Sequence, residues 1–418
     1  MPLAVAIVGS GPAGCYAAEK LARDAPGAAI DVIDRLPVPY GLIRGGVAPD
    51  HQGTKAVAHL FERLFAKGQL AFVGNVCVGR DVSLDELRGL YDAVVIATGA
   101  PADRKLAIPG ADAPHVFTSG DFVGWYNSQP DHARTPDLAS VRSVVIVGNG
   151  NVALDVARVL AKTPEERAKS DCSPVVEAAL AAAPIADIHI AGRRGPGEAA
   201  FTAVELHEFA NLARARTVFD DALDDIGPNA DGLKVLRALA AHPAEKPLRV
   251  HFHFLARPES FGDGRATFRK LRRAGTGFAD TDETLALPAD LVVTCIGSAL
   301  ADAHGLAVAN GVIANDGGKV ADGLYVVGWA KRGPTGTIPL SRAESHAVAQ
   351  RLIAEVKPAE KSGAAGLRAL LATRGVTIVD HAGWRRIDAA EKTRAAAPRV
   401  REKFTTVNDL LAAAQMPT

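Results

Sequence analysis

The sequence predicts an α/β fold with two parallel-sheet units, one inserted into the other. Two glycine-rich turns, Gly9 to Gly14 and Gly148 to Ala153, each follow an apolar strand and open a helix. Each helix is followed by a second apolar strand, and these strands end in opposite charges: Asp34 in the first unit, Arg193 and Arg194 in the second. This arrangement is typical of dinucleotide-binding, Rossmann-like domains.

The first turn has the residues that a pyrophosphate-binding loop requires. Gly9 allows the tight bend after the strand, Gly11 lets the backbone approach a pyrophosphate, and Gly14 lets the helix pack closely on the strand. Asp34 follows Gly14 by about 20 residues, a spacing at which an acidic side chain accepts hydrogen bonds from an unmodified ribose. We therefore expect FAD in this unit.

The second turn repeats the pattern with different chemistry. Gly148 and Gly150 take the first two small positions, and a polar stretch at 163–173 lengthens the path to the second strand. Arg193 and Arg194 at the end of that strand suit the 2'-phosphate of NADP(H). The alternative is an ordinary structural βαβ unit with two solvated arginines.

Domain limits follow from composition. The 418 residues exceed what a single core usually serves. A stretch rich in Pro, Gly and Asp at 99–114 ends the first unit, and an apolar strand returns at 324–327. We expect a first FAD-binding segment at 1–104, an inserted NADP-binding domain at 105–322, and a second FAD-binding segment with a helical C-terminal tail at 323–418.

Charge and cysteine content exclude several classes of function. The 47 basic and 47 acidic residues cancel, which favours neither nucleic acid nor an anionic membrane as a partner. The four cysteines are scattered, so we expect no disulfide redox centre, no iron–sulfur cluster and no metal site; they are Cys15, Cys77, Cys172 and Cys295. With no long apolar run and no signal segment before the first strand, we expect a cytoplasmic protein without membrane insertion.

Longer strings resemble one family. The segments are VGSGPAG (8–14), GVAPDH (46–51), GNGNVALDVAR (148–158), GRRGP (192–196) and GWAKRGPTG (328–336). The chain resembles the adrenodoxin reductase family of ferredoxin–NADP+ reductases, including its bacterial members, from about Leu3 to Arg401. The resemblance implies an NADP domain inserted into a bipartite FAD domain, and an enzyme that passes electrons from NADPH to an iron–sulfur protein.

The resemblance also implies cofactor contacts. The positions that match FAD contacts in the family are Ala13, Leu42, Val78, Trp329, Gly336, Thr337 and Ile338. Those that match NADP contacts are Asn149, Gly150, Asn151, Val152, Arg193, Arg194 and Glu205, and Gly336 would touch both cofactors. Two residues depart from the family: Asp34 replaces a glutamate, and Gly45 stands where a bulky aromatic residue is common.

Three polar residues are expected near the nicotinamide, again by resemblance: His51, Asp155 and Glu208. Their role would be to orient the cofactor or to buffer protons, because flavin and nicotinamide carry the reactivity of hydride transfer themselves. Each also has a plain structural interpretation. His51 could cap the following helix, Asp155 could be solvated, and Glu208 could be an ordinary helix residue.

The expected activity is NADPH:ferredoxin oxidoreduction by a monomer with a transient, acidic ferredoxin partner. A basic docking face is then needed, and the candidate cations are Arg269, Lys270, Arg272, Arg273, Lys331 and Arg332. Two alternatives share both dinucleotide sites: an NADPH diaphorase, oxidase or FAD monooxygenase, and a non-catalytic flavin redox sensor.

Overall fold

The computed structural model describes residues 2–130, 132, 134–223, 227–241, 245–275, 277–336 and 338–416. The strands are β1 (Ala4–Val8), β2 (Ala29–Asp34), β3 (Ala71–Gly74), β4 (Ala93–Ile96), β5 (Ala102–Asp103), β6 (Val116–Thr118), β7 (Ser143–Val147), β8 (Asp187–Ala191), β9 (Ala215–Phe219), β10 (Leu248–His253), β11 (Ala256–Gly262), β12 (Arg265–Ala274), β13 (Gly277–Pro288), β14 (Leu291–Thr294), β15 (Ser298–Ala299), β16 (Val308–Ala309), β17 (Val312–Ile313), β18 (Lys319–Ala321) and β19 (Leu324–Val326).

The helices are α1 (Pro12–Asp24), α2 (Leu42–Gly45), α3 (Gln52–Lys55), α4 (Ala58–Ala66), α5 (Leu84–Leu90), α6 (Ser119–Tyr126), α7 (Asn151–Ala161), α8 (Pro164–Arg167), α9 (Pro174–Ala182), α10 (Ala203–His207), α11 (Ala230–Ala241), α12 (Trp329–Arg332), α13 (Ile338–Glu355), α14 (Gly363–Thr373), α15 (His381–Arg394) and α16 (Val407–Ala414).

The first sheet has the order β18-β19-β4-β1-β2-β3, and every pairing except β18 with β19 is parallel. Apolar side chains of β1 face both sides, as expected for a parallel sheet covered by helices. Val5 and Ile7 pack in the core that includes residues of α1 and α13, whereas Ala6 and Val8 pack in the core that includes residues of α5 and α14.

The second sheet is parallel throughout, with the order β6-β14-β7-β8-β10-β9. Val144 and Ile146 of β7 pack with α7 on one face, while Val145 and Val147 lie in the core that contains Phe268 of β12. The strands β11, β12 and β13 form an antiparallel meander over that second face. The sequence analysis did not predict this meander.

The chain order of the strands confirms the inserted arrangement. The first sheet takes β1 to β4, and after the whole second sheet it takes β18 and β19. The chain enters and leaves the inserted part beside a two-stranded antiparallel ladder between β5 and β15. Farther on, Ile313 of β17 packs in the core of the first sheet. The limits at residues 104 and 322 stay predictions.

Local structure departs from expectation around the first cofactor loop. The prolines at 37 and 39 predict a loop that continues to His51, but this segment includes the short helix α2. The single helix that the sequence predicts from about Thr54 to Lys67 is divided into α3 and α4. Gly45 lies at the end of α2, and a Cβ built on it would overlap the side chain of Gln129. The space of a bulky residue at position 45 is therefore taken by a side chain from the inserted part.

Candidate cofactor-binding cleft

The first turn brings backbone close to backbone. Gly9 has φ +111°, and a Cβ on it would overlap the carbonyl of Ala97 at the end of β4; a Cβ on Gly14 would overlap the carbonyl of Gly9. At Gly11, the residue before α1, a Cβ would meet nothing within 4 Å. Packing thus requires two of the glycines, and the third leaves room for a pyrophosphate at the helix N-terminus.

Asp34 lies at the end of β2 and is bound to its own loops. Its carboxylate accepts hydrogen bonds from the Ser10 backbone N–H at 3.0 Å, from the Ser10 hydroxyl, and from the Leu36 backbone N–H at 3.0 Å. Among the described residues, the buried hydroxyl of Thr98 just beyond β4 has no hydrogen-bond partner. This carboxyl edge of the sheet therefore offers unsatisfied polar groups to a ligand, as the crevice of such sheets does.

The C-terminal segment closes the first site. A Cβ on Gly328 would lie 2.6 Å from Cβ of Ala13, so the turn before α12 lies against the N-terminus of α1. Trp329 begins α12 and is half-buried, Leu42 is 47% exposed, and Val78 is buried in the apolar core.

The predicted contacts around residue 336 are only partly described. Gly336 is exposed, and α13 begins at Ile338. Thr337 and the side chain of Ile338 lie outside the described residues. Because α13 begins shortly after Gly336, the first N–H groups of this helix lie close to that glycine in the chain.

The second turn has the same backbone arrangement. Gly148 has φ +128°, and a Cβ on it would overlap the carbonyl of Cys295 beyond β14. Gly150 precedes α7 and has open space around it, with only Ala200 Cβ at 3.9 Å. The buried side-chain amide nitrogen of Asn149 has no partner among the described residues. This loop also fits a dinucleotide.

The flanks of the second turn are more open. Asn151 accepts a hydrogen bond from the Thr202 backbone N–H at 2.8 Å, and Val152 is 46% exposed. Arg193 and Arg194 follow β8, and both side chains are exposed. The Arg194 carbonyl accepts from the Leu255 N–H at 3.2 Å, which fixes the backbone while leaving the guanidinium groups accessible.

His51 lies between two carboxylates from the inserted part. Its Nδ1 is 3.9 Å from Asp155 Oδ1, and its Nε2 is 3.6 Å from Glu205 Oε2. Glu208 is farther out, about half exposed, with Lys162 at 4.0 Å. The structure therefore places Glu205, rather than Glu208, against His51. His51 stands at the start of α3, but its side chain makes no capping bond.

Two residues that sequence reasoning missed organise this cluster. Arg158 of α7 is fully buried, and its guanidinium binds Asp50 through two hydrogen bonds of 3.0 Å and Asp155 through one of 2.7 Å. Lys162 contacts the same Asp50 at 2.6 Å. Asp50 and Arg158 lie within two of the family-like strings, which was a usable indication of their importance. The pair joins the loop before α3 to α7 of the inserted part.

The three carboxylates around His51 and Arg158 differ in how readily they take up a proton. Burial would raise the pKa of Asp50, but hydrogen bonds from Arg158 and the charge of Lys162 bring it well below its usual range. Burial raises the pKa of Asp155 against the opposing charge of Arg158. Burial and the charge of Asp155 raise the pKa of Glu205. Asp50 is thus a permanent anion, whereas the other two carboxylates take up a proton more readily.

Ligand atoms of His51, Asp155 and Glu205 lie within 4.8 Å of one another, close enough to converge on an ion. The Arg158 guanidinium already reaches both carboxylates, at 2.7 Å from Asp155 and 3.4 Å from Glu205. A fixed cation there opposes a metal ion. The expectation of no metal at this site stays a prediction.

The candidate docking cations are mostly paired. Lys331 binds Glu344 at 2.7 Å, and Arg332 binds the same carboxylate. On β12, Arg269 pairs with Glu259 at 3.1 Å and Lys270 with Asp221 at 2.6 Å. Adjacent residues of a strand point to opposite faces, so these last two do not form one patch.

Among the residues that the structure describes, no helix combines the length and apolar character required to cross a bilayer.

This chain is similar to several known proteins along its length. Residues 3–178 match the family described as pyridine nucleotide-disulphide oxidoreductase. The mitochondrial NADPH:adrenodoxin oxidoreductase of Arabidopsis thaliana is 38% identical over 99% of this chain and 95% of its own length.

Two further matches agree. Cindoxin reductase of Citrobacter braakii is 39% identical over 97% of this chain and 90% of its own length. The structure of Mycobacterium tuberculosis FprA in complex with NADPH matches with a TM-score of 0.93 at 37% identity and covers 100% of both chains. The resemblance found in the sequence is confirmed: the chain belongs to the family of NADPH-dependent ferredoxin and adrenodoxin reductases.

Proposed function

We propose that this protein is an FAD-dependent NADPH:ferredoxin oxidoreductase. It would take hydride from NADPH and deliver single electrons to an iron–sulfur ferredoxin. The observation that carries the proposal is the presence in one chain of two dinucleotide loops, one ending in Asp34 and the other in Arg193 and Arg194. Full-length relatives named as NADPH-dependent reductases of adrenodoxin and ferredoxin support the same activity.

The first site fits FAD. The backbone at Gly11 would approach the pyrophosphate. Asp34 would accept a hydrogen bond from the ribose through the lone pairs that Ser10 and Leu36 leave free. Leu42 and Trp329 would contact the ring system. FAD supplies the chemistry of accepting electrons in pairs and releasing them singly. The N-terminus of α13, shortly after Gly336, would stabilise negative charge on the ring through its unpaired N–H groups.

The second site fits NADPH. Gly150 and the amide of Asn149 would bind the pyrophosphate, and Arg193 and Arg194 would bind the 2'-phosphate. Asn151 and Val152 lie at the start of α7, beside the same loop. The exposure of both arginines supports a cofactor that is exchanged at each turnover.

The cluster at His51 would orient the nicotinamide and buffer protons. His51 lies between Asp155 and Glu205, and both carboxylates have raised pKa values. They hold a proton more readily than solvated carboxylates, so the cluster adjusts its charge without a large rearrangement. Glu208, at the exposed rim beside Lys162, would contact the incoming cofactor.

The partner and setting are finer parts of the proposal. We infer a transient complex of a monomeric, cytoplasmic enzyme with an acidic ferredoxin, and FAD-binding segments at 1–104 and 323–418 that flank an NADP-binding domain at 105–322. Because Glu344 neutralises part of the charge of Lys331 and Arg332, steering by these two residues would be modest.

The test begins with the purified, yellow protein. NADPH added without oxygen should bleach the flavin absorbance, and a ferredoxin should then restore it and support cytochrome reduction. Acid denaturation should release FAD into the supernatant, because no covalent link is expected. Faster turnover with oxygen or quinone than with ferredoxin would favour a diaphorase or oxidase. A flavin that NADPH fails to reduce would identify a redox sensor and sink the proposal.

A further inference from the structure

Three histidines gather on one face of the second sheet, apart from the cofactor cleft. His251 of β10 lies directly opposite His189 of β8 in the parallel register, and His253 follows two residues later on the same face. Their neighbours Ile188, Ile190 and others on the opposite face belong to the apolar core. The strands therefore present three imidazoles side by side.

The rings are close and nearly parallel. The centroid of His189 is 4.5 Å from that of His251 and 5.3 Å from that of His253. His189 Nδ1 and His253 Nε2 are 3.0 Å apart, so one ring donates its N–H to the other. One ligating nitrogen from each of the three lies within 4.8 Å of those of the other two.

Carboxylates complete the cluster. Asp187 accepts a hydrogen bond from His251 Nε2 at 2.8 Å and is itself bound by Arg249. This leaves Nδ1 of His251 free of that bond, and it lies 3.9 Å from Asp220 Oδ2. The same oxygen is 3.7 Å from His253 Nδ1, and the Asp220 side chain is 59% exposed. The cluster thus has an acidic member on its solvent side.

We propose that His189, His251 and His253, with Asp220 as a fourth ligand, bind a divalent transition-metal ion such as Zn2+. Imidazole and carboxylate are ligands that zinc takes in tetrahedral sites with bonds of about 2.0–2.2 Å, which places ligand atoms about 3.4 Å apart. His189 Nδ1 and His253 Nε2, at 3.0 Å, lie slightly closer than that distance, and Asp220 Oδ2 and His251 Nδ1, at 3.9 Å, lie slightly farther apart. This proposal departs from the sequence-based expectation of no metal.

The surroundings favour ligation. His189 and His253 are buried, and their rings are held against each other by the contact between His189 Nδ1 and His253 Nε2, so little side-chain freedom is lost when an ion binds. The Asp187 bond to His251 is the carboxylate–histidine pairing that orients a ligating ring.

The site adjoins the segment proposed to bind the 2'-phosphate. The carbonyl of His253 accepts from the Gly192 N–H at 3.0 Å, and the Gly192 carbonyl accepts from the Ala256 N–H at 2.9 Å. An ion bound to the end of β10 would therefore stiffen the strand that supports Arg193 and Arg194. Zinc should raise the melting temperature of the holoenzyme, since it binds only the folded arrangement.

The experiment uses FAD-loaded protein made without a polyhistidine tag and stripped with a chelator. After dialysis against micromolar Zn2+, metal analysis should find a single equivalent per flavin, and thermal melts should show the rise in melting temperature. Double substitution of His251→Ala and His253→Ala should weaken zinc binding at least tenfold and abolish that rise. His59→Ala, on the exposed face of α4, serves as the matched control and should bind zinc like the wild type.

Asp220→Asn changes an exposed side chain, and His251→Gln keeps a hydrogen-bond donor for Asp187, so they test the site where the double variant fails to fold. Each should weaken zinc binding while FAD content and bleaching by NADPH stay at the wild-type level. With Cu2+ in place of Zn2+, electron paramagnetic resonance of the oxidised wild type should show nitrogen coupling that the histidine variants lose. Absence of bound zinc in the wild type, or undiminished binding in these variants, would overturn the proposal.

Discussion

The two dinucleotide loops share a backbone but differ at the ends of their second strands. Gly9 and Gly148 have φ values of +111° and +128°, and each packs against the carbonyl of the residue that follows a neighbouring strand. Asp34, however, is hydrogen-bonded to its own loops, whereas Arg193 and Arg194 are exposed. In the proposed function, the common part would position a pyrophosphate, and the part that differs would select the cofactor.

Substitution of the two arginines that follow β8 should have the largest effect, on the preference for NADPH over NADH. Arg193→Ala with Arg194→Ala removes charge-assisted hydrogen bonds of roughly 1.5 to 3 kcal/mol each, so the preference for NADPH over NADH should fall by about two to four decades. Steady-state kinetics with both nucleotides measures this ratio. Asp34→Asn is the matched control: it should lower FAD content and leave the ratio unchanged. Equal losses with NADPH and NADH would contradict a 2'-phosphate contact.

If both loops face one cleft, the contact between Asp50 and Arg158 should hold the two parts of the molecule together. Asp50→Asn leaves the buried Arg158 without its bidentate partner, so stability should fall by about 3–5 kcal/mol. The pKa of Asp50 is lowered in the folded protein, so its contribution is complete above the unfolded value of 3.8 and is lost as pH falls below it. Denaturant unfolding at pH 7 and at about pH 3, below that unfolded value, should show the gap between wild type and variant shrinking in acid.

Asp280→Asn is a useful control for that experiment, because Asp280 and its partner Arg257 are both exposed. Exposed pairs contribute about 0 to 1 kcal/mol. A destabilisation of Asp50→Asn no larger than that of Asp280→Asn would mean that the pair does not join the two parts of the molecule.

The two loops should respond independently to one added methyl group in each of them. A Cβ at Gly11 or Gly150 meets no close protein atom, so alanine should leave the fold intact and obstruct only a pyrophosphate. We expect Gly11→Ala to weaken FAD binding at least tenfold, about 1.4 kcal/mol. Gly150→Ala should keep its FAD and raise the KM for NADPH by a similar factor. Loss of FAD in both variants would show that the loops are not independent.

The smallest effect is expected at the proposed docking surface. Lys331→Gln with Arg332→Gln should slow ferredoxin-dependent cytochrome reduction by a few fold at low salt, and less at 0.1 M salt, where the Debye length is about 10 Å. Anaerobic flavin reduction by NADPH should change little. Lys67→Gln, which changes an exposed cation directly after α4 and outside the candidate docking residues, is the control. If flavin reduction falls as much as ferredoxin turnover, the pair maintains the cofactor site instead.

Local patterns predicted most of the fold, and the family resemblance named His51, Asp155 and Glu205, but neither predicted how these three residues meet or which buried pair holds them. The turns at Gly9 and Gly148 were predictable because strand, glycine and helix follow one another in the chain. The contact between Arg158 and Asp50 was not, since it depends on how the two parts meet. The same is true of Gly45, because only the folded structure shows that the side chain of Gln129 occupies the space beside it. The same holds for the meander, whose alternating charged residues also suit a solvated surface.

The short ladder between β5 and β15 has an evolutionary consequence. Because the chain enters and leaves the inserted part at paired strands, the two junctions are neighbours in space. An ancestral flavin-binding fold could accept the insertion at a single surface position without breaking its sheet, which continues through β4 and β19. The same adjacency makes the nucleotide domain exchangeable: a relative's domain with a different second-strand end, grafted at the ladder, would carry its coenzyme preference with it.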